Sequence, residues 1–111
     1  MSGSALLEQD QALRDRIGQA VRQTEPEARL ILFGSHARGE ATPESDWDLL
    51  VVLDGLVTPQ RADAVRHRLY DLALETDTVL SAVIYSAEQW DSPRYRALPL
   101  HARIDGDGVA L

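Results

Sequence analysis

The sequence contains no cysteine. That excludes disulfide bridges and thiolate metal sites, though it says little about compartment. No apolar run approaches membrane-spanning length, so no transmembrane helix is expected. The opening MSGSALLEQD lacks the basic segment and long apolar core of a secretory signal, and the expected compartment is the cytoplasm. Met1-Ser2-Gly3 has the look of a tag. Repeats and low-complexity tracts are missing too, so the 111 residues are expected to form one compact domain. Basic residues are the last shortage: 11 against 18 acidic ones, for a formal charge of −7. A protein that grips nucleic-acid backbones presents a basic surface, so direct DNA or RNA binding is not expected. Arg61, Arg66, His67 and Arg68 lie close together in sequence and read as solvated charges on the outside of a helix.

What is present is a normal supply of core residues, 44% of the chain. Ser4 to Gln23 reads as a helix, with Leu6, Leu13, Ile17, Ala20 and Val21 at helical spacing and Pro26 enforcing a stop. Ala28 to Phe33 is short and apolar and ends at Gly34, a first strand. Ser35 to Ser45 holds a short helix or turn and a proline-bearing loop. Asp46 to Leu53 is the second strand, closed by the turn signal Asp54-Gly55. Thr58-Pro59 opens a second long helix, threonine as N-cap and proline at the first helical position, with Ala62, Val65, Leu69 and Leu72 as its core stripe. Val79 to Tyr85 is a third strand. Ser86-Ala87-Glu88-Gln89 starts a capped helix, Pro93 to Arg103 a last short one, and Gly106 to Leu111 a turn with an edge strand. Helices alternating with strands predict an α/β (α+β) fold, a small mixed sheet of three to four strands packed against helices.

The chemistry concentrates in residues 34–52, GSHARGEATPESDWDLLVV. Residues two apart in a strand share a face, so Asp46 and Asp48 point together while Trp47 and Leu49 face the other side. Carboxylates that close to a buried strand must be paired, hydrated or bound to a metal. Two of them repel unless a cation lies between, and Mg²⁺ prefers one or two carboxylates plus substrate phosphates. The plainer alternative is that both acids flank the exposed mouth of the strand. Gly34-Ser35, between the end of a strand and the next element, offers backbone amides and a hydroxyl to an anion. An ordinary turn with an N-cap is the plainer reading there.

Gly34-Ser35, the ten residues His36 to Ser45, and then Asp46-Trp47-Asp48 resemble the motif of the DNA polymerase β-like nucleotidyltransferase superfamily. Ala37-Arg38-Gly39 and Leu49-Leu50-Val51-Val52 are similar to its minimal nucleotidyltransferase (MNT) branch. The resemblance covers roughly residues 28 to 90. It implies that Gly34 and Ser35 contact the triphosphate of an NTP, ATP first among the candidates. It also implies that Asp46 and Asp48 bind Mg²⁺ and form the catalytic pair, and that an acceptor hydroxyl attacks the α-phosphorus and releases pyrophosphate. Arg38 is a candidate phosphate contact, weighed against an ion pair to Asp46, Asp48 or Glu44. His36 is expected to be a loop side chain rather than a catalyst.

Active relatives in that superfamily take a third carboxylate from the following strand. By its frame, Ser81 holds that place, and a serine supplies neither a general base near neutral pH nor the missing charge. Asp77 shares the parity of Ser81 if the strand extends that far, but lies about 13 Å away along an extended strand. Glu75 has the wrong parity. The resemblance to MNT antitoxins implies nucleotidyl transfer, AMP first, to a hydroxyl of a partner protein, a HEPN-type toxin. Its alternatives are a nucleotide-binding module that silences the partner by binding alone, and transfer to an aminoglycoside-like small molecule. A homo-oligomer remains open. Trp47 and Trp90 read as core or partner-facing aromatics, and His67 and His101 as exposed histidines without metal-ligand spacing.

Overall fold

The computed structural model describes residues 2–111, with side chains from residue 9 onward. Leu6 of the expected helical stripe therefore lies outside the described side chains. Helix α1, Ser2–Thr24, precedes strand β1, Arg29–Phe33, and the one-turn helix α2, Ser35–Arg38. Strand β2, Trp47–Leu53, leads to helix α3, Pro59–Thr76, and strand β3, Leu80–Ser86. Three short helices follow: α4, Ala87–Trp90, α5, Pro93–Arg96, and α6, Pro99–Asp107. Strand β4, Val109–Ala110, ends the order. Among the described residues no helix is long and apolar enough to cross a membrane.

The sheet runs β3-β2-β1-β4 and is mixed. β1 is antiparallel to β2 and to β4, whereas β2 and β3 are parallel, joined by the crossover through α3. β2 is central and covered on both faces, which is why its sequence is a near-continuous apolar run rather than an alternating one. Its odd residues Trp47, Leu49, Val51 and Leu53 pack with Ile17 and Val21 of α1 and Val65, Leu69 and Leu72 of α3. Its even residues Leu50 and Val52 pack on the opposite side with Phe33, Trp90 and Ile104, under α4 to α6. Asp48 belongs by parity to this second face.

The helix boundaries follow local chemistry. Thr58 caps α3 by accepting from the Arg61 amide, with Pro59 at the first position. Ser86 and Gln89 form a capping box at the start of α4. The expected helix over Pro93 to Arg103 is two helices, because Pro99 cannot continue the first and opens the second. Gly106 and Asp107, expected in a turn, belong to α6. Gly108 then lets the chain turn onto β1: a Cβ there would lie 2.5 Å from the Ile104 carbonyl oxygen and 2.8 Å from Cγ2 of Ile31.

Arg61 departs from its expected solvated role. Its guanidinium grips both oxygens of Glu25, at 3.0 and 2.7 Å, and donates to the carbonyls of Asp54 and Leu56. It thereby fastens the β2–α3 loop to the α1–β1 loop. Arg66, His67 and Arg68 are exposed, as expected. His101 is not: it is buried, stacked on Trp90 with ring centroids 4.2 Å apart, and its Nδ1 lies 3.1 Å from Asp105. The spacing of Trp90 and His101 in sequence carries no sign of that stack, which depends on α4 and α6 meeting over the sheet.

Candidate active site

The antiparallel register sets Phe33, the last residue of β1, opposite Asp48. Gly34 follows Phe33 with φ 79° and ψ −158°, a backbone region open essentially to glycine. There is a second reason for glycine here. A Cβ on Gly34 would collide with Oδ2 of Asp48 and lie 3.2 Å from its Cγ, so the carboxylate occupies the space a side chain would fill. The Gly34 carbonyl accepts from the amides of Ala37 and Arg38, both at 3.1 Å, which turns the chain into α2. The amides that open a helix have no intrahelical acceptor, and Ser35 opens this one.

Asp48 is half-buried and Asp46 exposed, one residue before β2 begins. Burial pushes the Asp48 carboxyl above the ordinary aspartate range, and the negative charge of Asp46 adds to that rise. The positive charges of Arg103, His36 and Arg38 offset it in part. Two carboxylates of like charge beside a glycine-lined approach form a hard-oxygen donor pair suited to a divalent cation such as Mg²⁺. Among the described residues no group of three or more His, Cys, Asp or Glu side chains could hold a metal ion, so this donor set stops at two carboxylates.

The loop from α2 to β2 is held by its own contacts. His36 stacks on Trp47, ring centroids 3.8 Å apart and planes 16° from parallel, and its Nε2 lies 3.1 Å from the Ser45 carbonyl oxygen. The Thr42 amide donates to Oγ of Ser45 at 2.9 Å, closing a turn ahead of Asp46. His36 is thus an anchor for the segment between the glycine and the acids, and Trp47, 3% exposed, is a core residue.

Arg38 does not pair with Asp46, Asp48 or Glu44. Its guanidinium donates to Glu40 at 3.0 Å and to Asp107 at 3.1 Å. The link to Asp107 brings the end of α6 beside α2, and Arg103, on the same helix, sets a positive charge near Asp48. Neither Arg103 nor Asp107 was legible as a site residue, because nothing local connects α6 with residues 34–48.

Ser81 lies in register with Asp48 across the parallel β2–β3 pair. Paired residues of neighbouring strands project from the same face, so the serine is the side chain next to the acid on that strand. Asp77 does not extend the strand. It is the C-cap of α3, in the left-handed region at φ 52°, three residues before β3 starts, which voids its parity argument. Glu75 forms an ion pair with Arg16 of α1. A separate open cavity of about 560 Å³, lined by Arg29, Trp90, Asp91, Arg96 and His101 among others, does not include Gly34, Asp46 or Asp48.

Known proteins share this arrangement of strands and helices. A crystal structure of a toxin–antitoxin with AMP-PNP superimposes with a TM-score of 0.62 and 21% identity, covering 86% of this chain and 69% of that one. A crystal structure described as a "putative nucleotidyltransferase" from Sulfolobus solfataricus gives a TM-score of 0.53 at 19% identity, covering 89% of this chain and 76% of that one. Both likenesses are of fold. A curated relative from Methanocaldococcus jannaschii, named a "putative protein adenylyltransferase", is 35% identical over 57 residues, 51% of this chain and 58% of the relative. The match thus spans less than two thirds of that relative's length. Residues 14–99 match the family model of the nucleotidyltransferase domain. That match takes in most of the chain, and with it the glycine, the serine and both aspartates, so the protein belongs to the nucleotidyltransferase domain family.

Proposed function

We propose that the protein transfers a nucleoside monophosphate, AMP first among the candidates, from an NTP to a hydroxyl on a partner protein. The observation that carries this reading is the contact between Asp48 and Gly34, in which the Asp48 carboxylate lies beside the backbone that would receive the phosphates. In this reading Asp46 and Asp48 hold Mg²⁺. Bound there, the ion would neutralise the triphosphate and stabilise the charge that develops at the α-phosphorus. The amides at Ser35 and its hydroxyl orient the phosphate chain. Arg38, tethered by Glu40 and Asp107, and Arg103 supply positive charge at the rim of the site.

The partner in this reading is a HEPN-type toxin. The chain carries a formal charge of −7, which complements the basic surface of an RNA-binding protein. A structural neighbour with a toxin–antitoxin description is consistent with that assignment. One observation favours a second reading, in which the partner is silenced by binding alone. Ser81 stands beside Asp48 without a carboxylate to share a second metal or take a proton.

Incubation with labelled ATP, Mg²⁺ and the product of the adjacent gene separates the two. Label on the partner that vanishes with Asp48→Ala supports transfer. Inhibition of the partner that survives Asp48→Ala, with no label in either case, supports sequestration.

A further inference from the structure

The side chain beside Asp48 on β3 is a hydroxyl, and hydroxyls are what nucleotidyl transfer consumes. Ser81 is exposed, lies in register with Asp48, and belongs to the face that carries Leu50, Val83 and Tyr85. β3 is an edge strand, so the side of Ser81 away from Asp48 meets solvent. Of the other small hydroxyls, Ser35 is assigned to the phosphate chain in the reading above, and several more are engaged. Thr42 and Ser45 lie within hydrogen-bond distance of one another, as do Thr76 and Thr78, and Ser86 caps α4. Ser81 Oγ has no such partner among the described residues.

We propose that Ser81 is a self-modification site, the acceptor of a nucleoside monophosphate when no partner occupies the site. This rests on the transferase reading above. The Oγ–Pα bond forms as the bond from Pα to the oxygen bridging to the β-phosphate breaks. Pyrophosphate leaves with that oxygen, and the hydroxyl proton passes to water at the exposed strand edge. The product is a phosphodiester that adds one negative charge beside Asp48. It blocks the position from which it formed, so the reaction runs once per chain and leaves a capped site.

The test is intact-mass spectrometry and peptide mapping of the purified full chain after incubation with ATP and Mg²⁺. In parallel, Mg²⁺-dependent ATP binding to the unmodified wild type is titrated. The expected result is a gain of one AMP on the peptide containing Ser81, lost to background in Ser81→Ala and in Asp48→Ala and retained in Ser81→Thr. The threonine variant keeps the hydroxyl and suits a strand, so it separates chemistry from folding. Modification that persists in Ser81→Ala, or maps to Ser35 or a tyrosine, overturns the proposal. ATP binding together with label on the partner, but an unmodified Ser81, overturns it while the transferase reading stands. Failure to bind ATP at all overturns both.

Discussion

Asp48 fills the space that a side chain on Gly34 would need. Gly34 follows the end of β1 and Asp48 lies in β2, fourteen positions on, yet the carboxylate packs against the glycine backbone. A close approach of this kind couples the stability of the β1–α2 turn to the position of the acid.

Gly34→Ala therefore has two costs. The backbone region at φ 79° and ψ −158° penalises a Cβ by about 1–3 kcal/mol, and the collision with Asp48 displaces the carboxylate. Chemical denaturation should show a loss of at least that strain, and titration with ATP and Mg²⁺ should show weakened binding. Wild-type affinity in a folded Gly34→Ala protein would remove the link between the two residues.

Asp48→Asn should stabilise the metal-free protein. Burial and the Asp46 charge hold the Asp48 carboxyl above its ordinary range. A raised folded pKa means that the favourable, protonated form contributes fully below the unfolded value, and that this stability is lost as pH rises through the folded value. The variant should melt above wild type at neutral pH in EDTA, with the gap closing in acid. Added Mg²⁺ should raise the wild-type Tm and leave the variant behind. Thermal melts across pH, with and without the ion, test both halves.

Glu25 has the opposite sign. Its hydrogen bonds to Arg61 hold its carboxyl below the usual range. Its contribution is present above the unfolded pKa and is lost as pH falls through the lowered folded value. Glu25→Gln should lower the urea midpoint at neutral pH, and the difference from wild type should shrink in strongly acid buffer. A difference that does not change with pH would mean the pair acts by packing alone.

Arg103→Glu should weaken ATP binding by placing a negative charge where a positive one now offsets Asp48. Arg103 is exposed, so the effect is screened by salt. Binding titrations at low and high ionic strength should show a wide gap between variant and wild type that narrows as salt is added. An equal affinity at low salt would place Arg103 outside the site.

Local chemistry makes much of this protein readable in its sequence. The unbroken apolar run after Asp48 signalled a strand covered on both faces, and β2 is that strand. Thr58-Pro59 and Ser86 to Gln89 marked helix starts because a cap needs only residues within one turn. The turn at Gly34 was legible for the same reason, since a glycine-only backbone is a short-range fact, whereas Asp46, expected in the second strand, lies one residue before it. Asp77 shows the limit. Its parity suggested a strand position, but α3 runs to Thr76 and the acid terminates it.

Most of the elements, the mixed α/β character and the residue types at the candidate site could be read from the sequence, while the division of Pro93 to Asp107 into two helices could not. Tertiary structure decided what those residues meet: Asp48 against Gly34 and beside Ser81, His36 on Trp47, Arg38 tied to Asp107, and His101 stacked under Trp90. The physical reason is range. Caps and turns are set by hydrogen bonds to near neighbours, whereas strand register and the seat of α6 are settled by burying both faces of β2 at once, with chain segments far apart in sequence.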